Sequence, residues 1–120
     1  ATSPLLKSGD LILSLKTYKK KKLDSLFSSY KKKFFLWKFD KKKNLKPIDE
    51  DPFLRKRKQL RSYVYIENGA FYIFKTLDFL KFRNRLNGKV GTYCIPELRS
   101  IEIDDLDEFK TAKKIHKLKI

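Results

Sequence analysis

Residues 100–118 switch hydrophobic period in mid-course, and no other stretch of this 120-residue chain constrains its fold as much. From Ser100 to Asp104, Ile101 and Ile103 alternate with Ser100, Glu102 and Asp104. That is the period of a strand with one apolar face. Leu106, Phe109, Ala112, Ile115 and Leu118 then recur at the spacing of a helix. Asp104 stands at the expected N-cap, and Asp107 and Glu108 fall in the first turn. Acids there favour a helix through capping and the macrodipole. A strand that feeds directly into a helix is the building unit of α/β architecture.

Upstream segments extend the same alternation. Ser8-Gly9-Asp10 opens a helix whose apolar face is Leu11, Ile12, Leu15 and Tyr18, and which ends within Lys19–Lys22. Ser25–Ser28 and Lys33–Asp40 read as strands, the second with Phe35, Trp37 and Phe39 on one face. The polar tract 41–58, with Pro47 and Pro52, reads as turn and loop. Tyr63–Glu67 is extended and Asn68-Gly69 is a turn. Ala70–Phe74 is apolar throughout, so it is expected as a strand buried on both faces. Thr76 caps a short helix with Leu77, Phe79 and Leu80, and Lys89–Ile95 forms a further strand. The expected fold is α/β, with a largely parallel sheet and flanking helices, in a chain that is one domain or part of one.

An apolar content of 41% with 17 aromatic residues excludes wholesale disorder. No apolar run reaches transmembrane length, and Ala1-Thr2-Ser3-Pro4 lacks the basic start and apolar stretch of a secretory leader. A cytoplasmic location away from membranes is therefore expected. Cys94, the single cysteine, sits between Tyr93 and Ile95 and is expected to be an inert core thiol. The absence of Met and the isolated Thr-Ser-Pro opening point to a piece of a longer protein.

The formal charge of +16 raises nucleic acid as a partner. Residues 1–48 hold 14 Lys and no Arg against three Asp, with clusters at 19–22, 31–33 and 41–43. Base reading and phosphate forking, however, belong to Arg, and the chain has 24 Lys to 6 Arg. Weak, non-specific binding is expected. A small basic nucleic-acid-binding module using Phe35 and Trp37, without catalysis, is the alternative reading of the whole chain.

No nucleophile constellation, zinc spacing or glycine-rich phosphate loop is present, so no catalytic residue is assigned. His116, the only histidine, lies beside the apolar face of a lysine-rich helix and suits surface or packing duty. Glu102 and Asp104, roughly 7 Å apart along an extended backbone, can share one hard cation such as Mg²⁺. Asn68 offers a donor and an acceptor to a polyhydroxy or carboxylate ligand.

The order of motifs adds a resemblance. Thr2-Ser3-Pro4-Leu5 is followed by Gln59 after a basic run, then by Tyr65-Ile66-Glu67-Asn68-Gly69-Ala70-Phe71-Tyr72-Ile73. Gly88-Lys89-Val90-Gly91 and Ile95-Pro96-Glu97-Leu98-Arg99-Ser100-Ile101-Glu102-Ile103-Asp104 complete the series. This resembles the C-terminal half of the acylneuraminate cytidylyltransferase family, which joins CTP to nine-carbon acidic sugars with Mg²⁺ and releases pyrophosphate. The resemblance is specific over residues 65–110 and loose over 7–56. It implies the C-terminal portion of a Rossmann-like nucleotidyltransferase fold in a homodimer, with 31–58 as a loop insertion or dimerisation segment. It also implies Asn68 as a sugar-binding residue, Asp104 with Glu102 as metal ligands, and Arg57, Lys58 and Gln59 as substrate contacts. The chain departs from the family pattern at Leu6, Lys58 and Glu102, where the family has Arg, Arg and Asp. The family's N-terminal half and the Gln before Thr-Ser-Pro have no counterpart here, which implies that the isolated chain is inactive.

Overall fold

The computed structural model describes residues 2–48 and 63–120. They divide into two compact units, residues 1–31 with 66–120, and residues 32–65. The first unit is built on a three-stranded mixed sheet. Its central strand β1 (Ser25–Lys32) lies between β4 (Val64–Phe74) and β5 (Val90–Cys94). The β1–β5 pair is parallel, in the register Ser25 to Val90 through Ser29 to Cys94. Around the sheet are helices α1 (Ser8–Lys20), α2 (Thr76–Phe82) and α3 (Leu106–Lys117), with a 3₁₀ turn at Glu97–Arg99. The architecture is thus mixed α/β with one parallel pair in its main sheet. None of the helices in the described residues is long and apolar enough to cross a membrane.

Helix α1 corrects the sequence reading of its faces. Leu11, Ile12 and Leu15 are exposed, whereas Asp10 and Ser14 are buried. Asp10, Ser14 and Tyr18 follow at four-residue intervals, so they form one stripe, and α1 packs against β5. The rotation is set by an ion pair that periodicity does not register. Arg99 donates from Nη1 and Nη2 to the two Asp10 carboxylate oxygens at 2.6 and 3.0 Å. Its Nη1 also donates to the Leu5 carbonyl at 3.2 Å. Asp10 Oδ2 accepts the Lys7 backbone N–H at 2.9 Å, which closes the helix start. Arg99 holds the Asp10 carboxyl below the ordinary carboxylate range. Burial, together with Asp10, pushes the nearby Tyr93 phenol up.

Strand β1 has little apolar bulk and is pinned by hydroxyls. Ser25 Oγ donates to the Asn87 carbonyl at 2.9 Å and accepts the Asn87 N–H at 3.1 Å. Ser28 Oγ accepts the Phe71 N–H of β4 at 3.0 Å. Ser29 Oγ and Thr92 Oγ1 of β5 lie 2.6 Å apart. Among the described residues the buried apolar side chains are Leu23, Leu26, Ile95 and Ala112. Gly91 admits the Leu23 side chain, which a Cβ would meet head-on. Gly88, at φ +58, leaves the same kind of room for Asp24, whose Oδ2 accepts the Lys89 N–H at 2.7 Å.

Five further expectations are corrected. Asn68-Gly69 is no turn, because β4 runs through it, with Gly69 at φ +64 as a local irregularity inside the strand. Ala70–Ile73 are half-buried and Phe74 is exposed, since only one strand flanks β4 in the described sheet. Residues 100–103 are irregular, held by backbone bonds from Ser100 N–H to the Glu97 carbonyl at 3.0 Å and from Ile103 N–H to the Thr2 carbonyl at 2.8 Å. Thr76 is the first residue of α2, after an N-cap at Lys75 that makes no side-chain bond. Cys94 is exposed at the end of β5, with its sulfur 3.7 Å from Ser29 Oγ.

The second unit contains the antiparallel ribbon β2 (Trp37–Phe39) and β3 (Leu45–Pro47). Asp40 fixes its turn. Its Oδ1 accepts from the N–H groups of Lys42 and Asn44 at 2.8 and 3.0 Å, and Oδ2 pairs with Lys46 Nζ at 3.1 Å. The Asn44 amide first, then Lys46 and the Lys42 amide, hold the Asp40 carboxyl below its ordinary range. Lys43 takes the left-handed conformation, φ 61, that completes the turn.

Candidate functional site

Three motifs far apart in sequence meet beside β4. Glycine at position 69 is favoured by its positive φ, and the Glu102 carboxylate fills the space beside it, since a Cβ there would lie 3.0 Å from Glu102 Oε1. The Glu102 carboxylate therefore rests against the β4 backbone. The Thr2 hydroxyl donates to the same Oε1 at 3.1 Å. One residue upstream of the glycine, Asn68 is only 6% exposed. Its Nδ2 donates to Ser100 Oγ at 3.0 Å, and its Oδ1 lies 2.6 Å from Ser28 Oγ and accepts the Ala70 N–H at 3.3 Å. Ser100 Oγ in turn donates to the Pro96 carbonyl at 3.1 Å. Asn68 thereby ties β4, β1 and the 96–100 turn together.

Asp104 is exposed, and it is not the cap of α3 as expected. Asp105 fills that position, accepting the N–H groups of Asp107 and Glu108 on Oδ1, each at 2.8 Å. Glu108 reaches back to the N–H groups of Asp104 and Asp105 at 2.7 and 3.2 Å. This reciprocal capping needs an acid three residues before a Glu, a spacing that Asp105 satisfies and Asp104 does not. The Asp104 carboxylate makes no hydrogen bond or ion pair among the described residues. The structure thus sets the Glu102 carboxylate against Gly69, one residue after Asn68, and leaves the Asp104 side chain without a partner among the described residues. Arg57, Lys58 and Gln59 lie outside the described residues.

As for a cation, no group of three metal-capable His, Cys, Asp or Glu side chains gathers among the described residues. Two carboxylates with the remaining positions left to water and phosphate are nevertheless within the habit of Mg²⁺. Glu102, held by one hydroxyl, and the unengaged Asp104 have the donor chemistry for it.

Two cavities lie elsewhere among the described residues, between residues 4–7 and α3. The larger, about 540 Å³, includes Leu5, Lys7, Arg99 and Ile115 in its lining, and the smaller, about 240 Å³, includes Leu5, Phe109 and Ala112. None of Asn68, Glu102 or Asp104 lines either. The Asp10–Arg99 pair and the Ser28 contact escaped the sequence reading. The pair spans 89 positions with no local signal. Hydroxyls at Ser25, Ser28 and Ser29 inside a strand were a legible sign of polar side chains needing partners.

Compared with known proteins, the chain matches no protein-family model and has no significant match among curated proteins.

Proposed function

We propose that the chain is a fragment or degenerate relative of a cytidylyltransferase that activates a nine-carbon acidic sugar with CTP, in the manner of the Rossmann-like family it resembles. The observation that carries this reading is the convergence of the Thr-Ser-Pro, Asn-Gly-Ala and Ser-Ile-Glu-Ile-Asp segments on Gly69. Those are the segments on which the resemblance rests. In the full enzyme, working as a homodimer, a sugar hydroxyl oxygen attacks the α-phosphate of CTP and the bond to pyrophosphate breaks. Asn68 keeps one amide hydrogen without an acceptor among the described residues. That hydrogen is the one available to orient the sugar. Asp104 and Glu102 would hold Mg²⁺, which neutralises charge on the phosphate oxygens. Arg57, Lys58 and Gln59 would meet the substrate.

The test has two arms. Incubated with CTP, Mg²⁺ and a panel of nine-carbon sugar acids, the chain alone releases no pyrophosphate, and turnover above background would overturn the fragment reading. Joined to a family N-terminal half, it turns over, and Asp104→Asn lowers the rate by orders of magnitude while leaving stability unchanged. A folded hybrid that binds CTP but activates none of the acids refutes the function.

One observation favours the second reading, a basic nucleic-acid-binding module. On the β2–β3 ribbon, Trp37 pairs with Pro47 and Phe39 with Leu45, so all four share a face. Trp37 is 47% exposed and Phe39 71%. Aromatic faces beside lysines are stacking platforms for single strands. Such binding should be weak and collapse as salt rises, because it depends on counterion release. Sequence-selective binding that survives physiological salt would promote this reading over the first.

A further inference from the structure

We propose that the groove between residues 4–7 and α3 binds an organic anion with an aliphatic body, of the type of a medium-chain carboxylate. Its volume, about 540 Å³, falls in the range of roughly 300–1,000 Å³ typical of small-molecule sites. Leu5, Ile115 and Ile120 give it apolar walls, and Lys7, Lys117 and Lys119 stand around them. Phe109 and Ala112 continue the apolar surface into the adjoining cavity. No acidic side chain lines either space.

Lysines in a last helical turn commonly just complement the helix dipole. Here the Ile115 and His116 carbonyls already accept from the N–H groups of Leu118 and Lys119 at 2.9 and 3.2 Å. Neither Lys117 nor Lys119 is ion-paired among the described residues, so their charge is open to a ligand. Arg99 adds an independent sign. Its side chain is 10% exposed. Three of its N–H bonds go to Asp10 and Leu5, which leaves two of the five without an acceptor among the described residues. Hydrophilic anions are poor occupants, because they would desolvate against Leu5 and Ile115.

The site is testable by calorimetric titration of the full chain with octanoate, decanoate and dodecanoate below their micellar concentrations. Dodecanol and CTP serve as the neutral and hydrophilic probes. The carboxylates are expected to bind one per chain. Affinity should rise roughly fourfold per methylene until the groove is filled, with dodecanol and CTP at least tenfold weaker. Lys117→Glu with Lys119→Glu, both on exposed positions, should weaken carboxylate binding at least tenfold with an unchanged far-UV spectrum. Lys41→Glu with Lys42→Glu, in the other unit, should not. Equal loss from both double variants would show diffuse charge attraction and overturn the site. Absence of saturable binding, equal affinity for dodecanol, or a dimer that blocks carboxylate binding would overturn it as well.

Discussion

The Asp10–Arg99 pair is a nearly buried ion pair that joins α1 to the turn after β5. Its two side chains are 7% and 10% exposed. Removing one partner from such a pair strands the other charge, at a cost of about 3 kcal/mol. Asp10→Asn should therefore lower stability by about that much at neutral pH, as read from urea unfolding. The sign of the pH effect follows from the depressed Asp10 carboxyl. Its contribution is complete above the ordinary carboxylate value of about 3.9 and is lost as pH falls through the lower folded value. Wild type and Asp10→Asn should thus differ at pH 6 and converge under strong acid. A difference that persists unchanged to pH 2 would remove the ion pair as its cause. Nothing local in the sequence announced this pair. Asp10 was legible as a helix-start acid, but its partner is chosen by the tertiary fold.

At the level of elements, sequence periodicity located most segments and misjudged their surroundings. Helices α1 and α3 begin and end close to where caps and spacing place them, because those signals are local. The segment 100–104 alternates like a strand yet finds no strand partner in the described sheet. Alternation reports a half-buried face and says nothing of pairing. Of the two adjacent aspartates only Asp105 stands three residues before a Glu, a capping spacing that is legible in the sequence. Asp105→Ala should cost about 1 kcal/mol through the lost cap, whereas Asp104→Ala should stay within about 0.5 kcal/mol. Equal losses in thermal unfolding would return Asp104 to a capping role. In the ribbon, Lys43 sits at φ 61, a conformation that costs a non-glycine residue roughly 1–2 kcal/mol. Lys43→Gly should make the ribbon more resistant to proteolysis, and faster cleavage there would contradict the turn geometry.

Across the whole molecule, α/β character was readable from strands alternating with helices, but the sheet is mixed where a largely parallel one was expected. Topology depends on long-range pairing, which leaves no trace in local pattern. Burial is thin, with Leu23, Leu26, Ile95 and Ala112 forming the apolar core among the described residues, while Leu11, Leu77, Leu80 and Phe82 face outward. Hydrophobic burial is the main favourable term in folding. The isolated chain should therefore unfold below the usual 5–15 kcal/mol, with a shallow urea dependence. A steep transition at high urea would contradict this picture of the core. The serines of β1 then acquire a different meaning. A one-residue slip of that strand would break its hydroxyl ties to Asn87, Phe71 and Thr92 together, so alignment is enforced by a directional code instead of by bulk. Replacing all three with valine would strand the Asn87 and Phe71 amides and the Thr92 hydroxyl and erase that code at once, giving a weaker sheet with more than one way to be assembled.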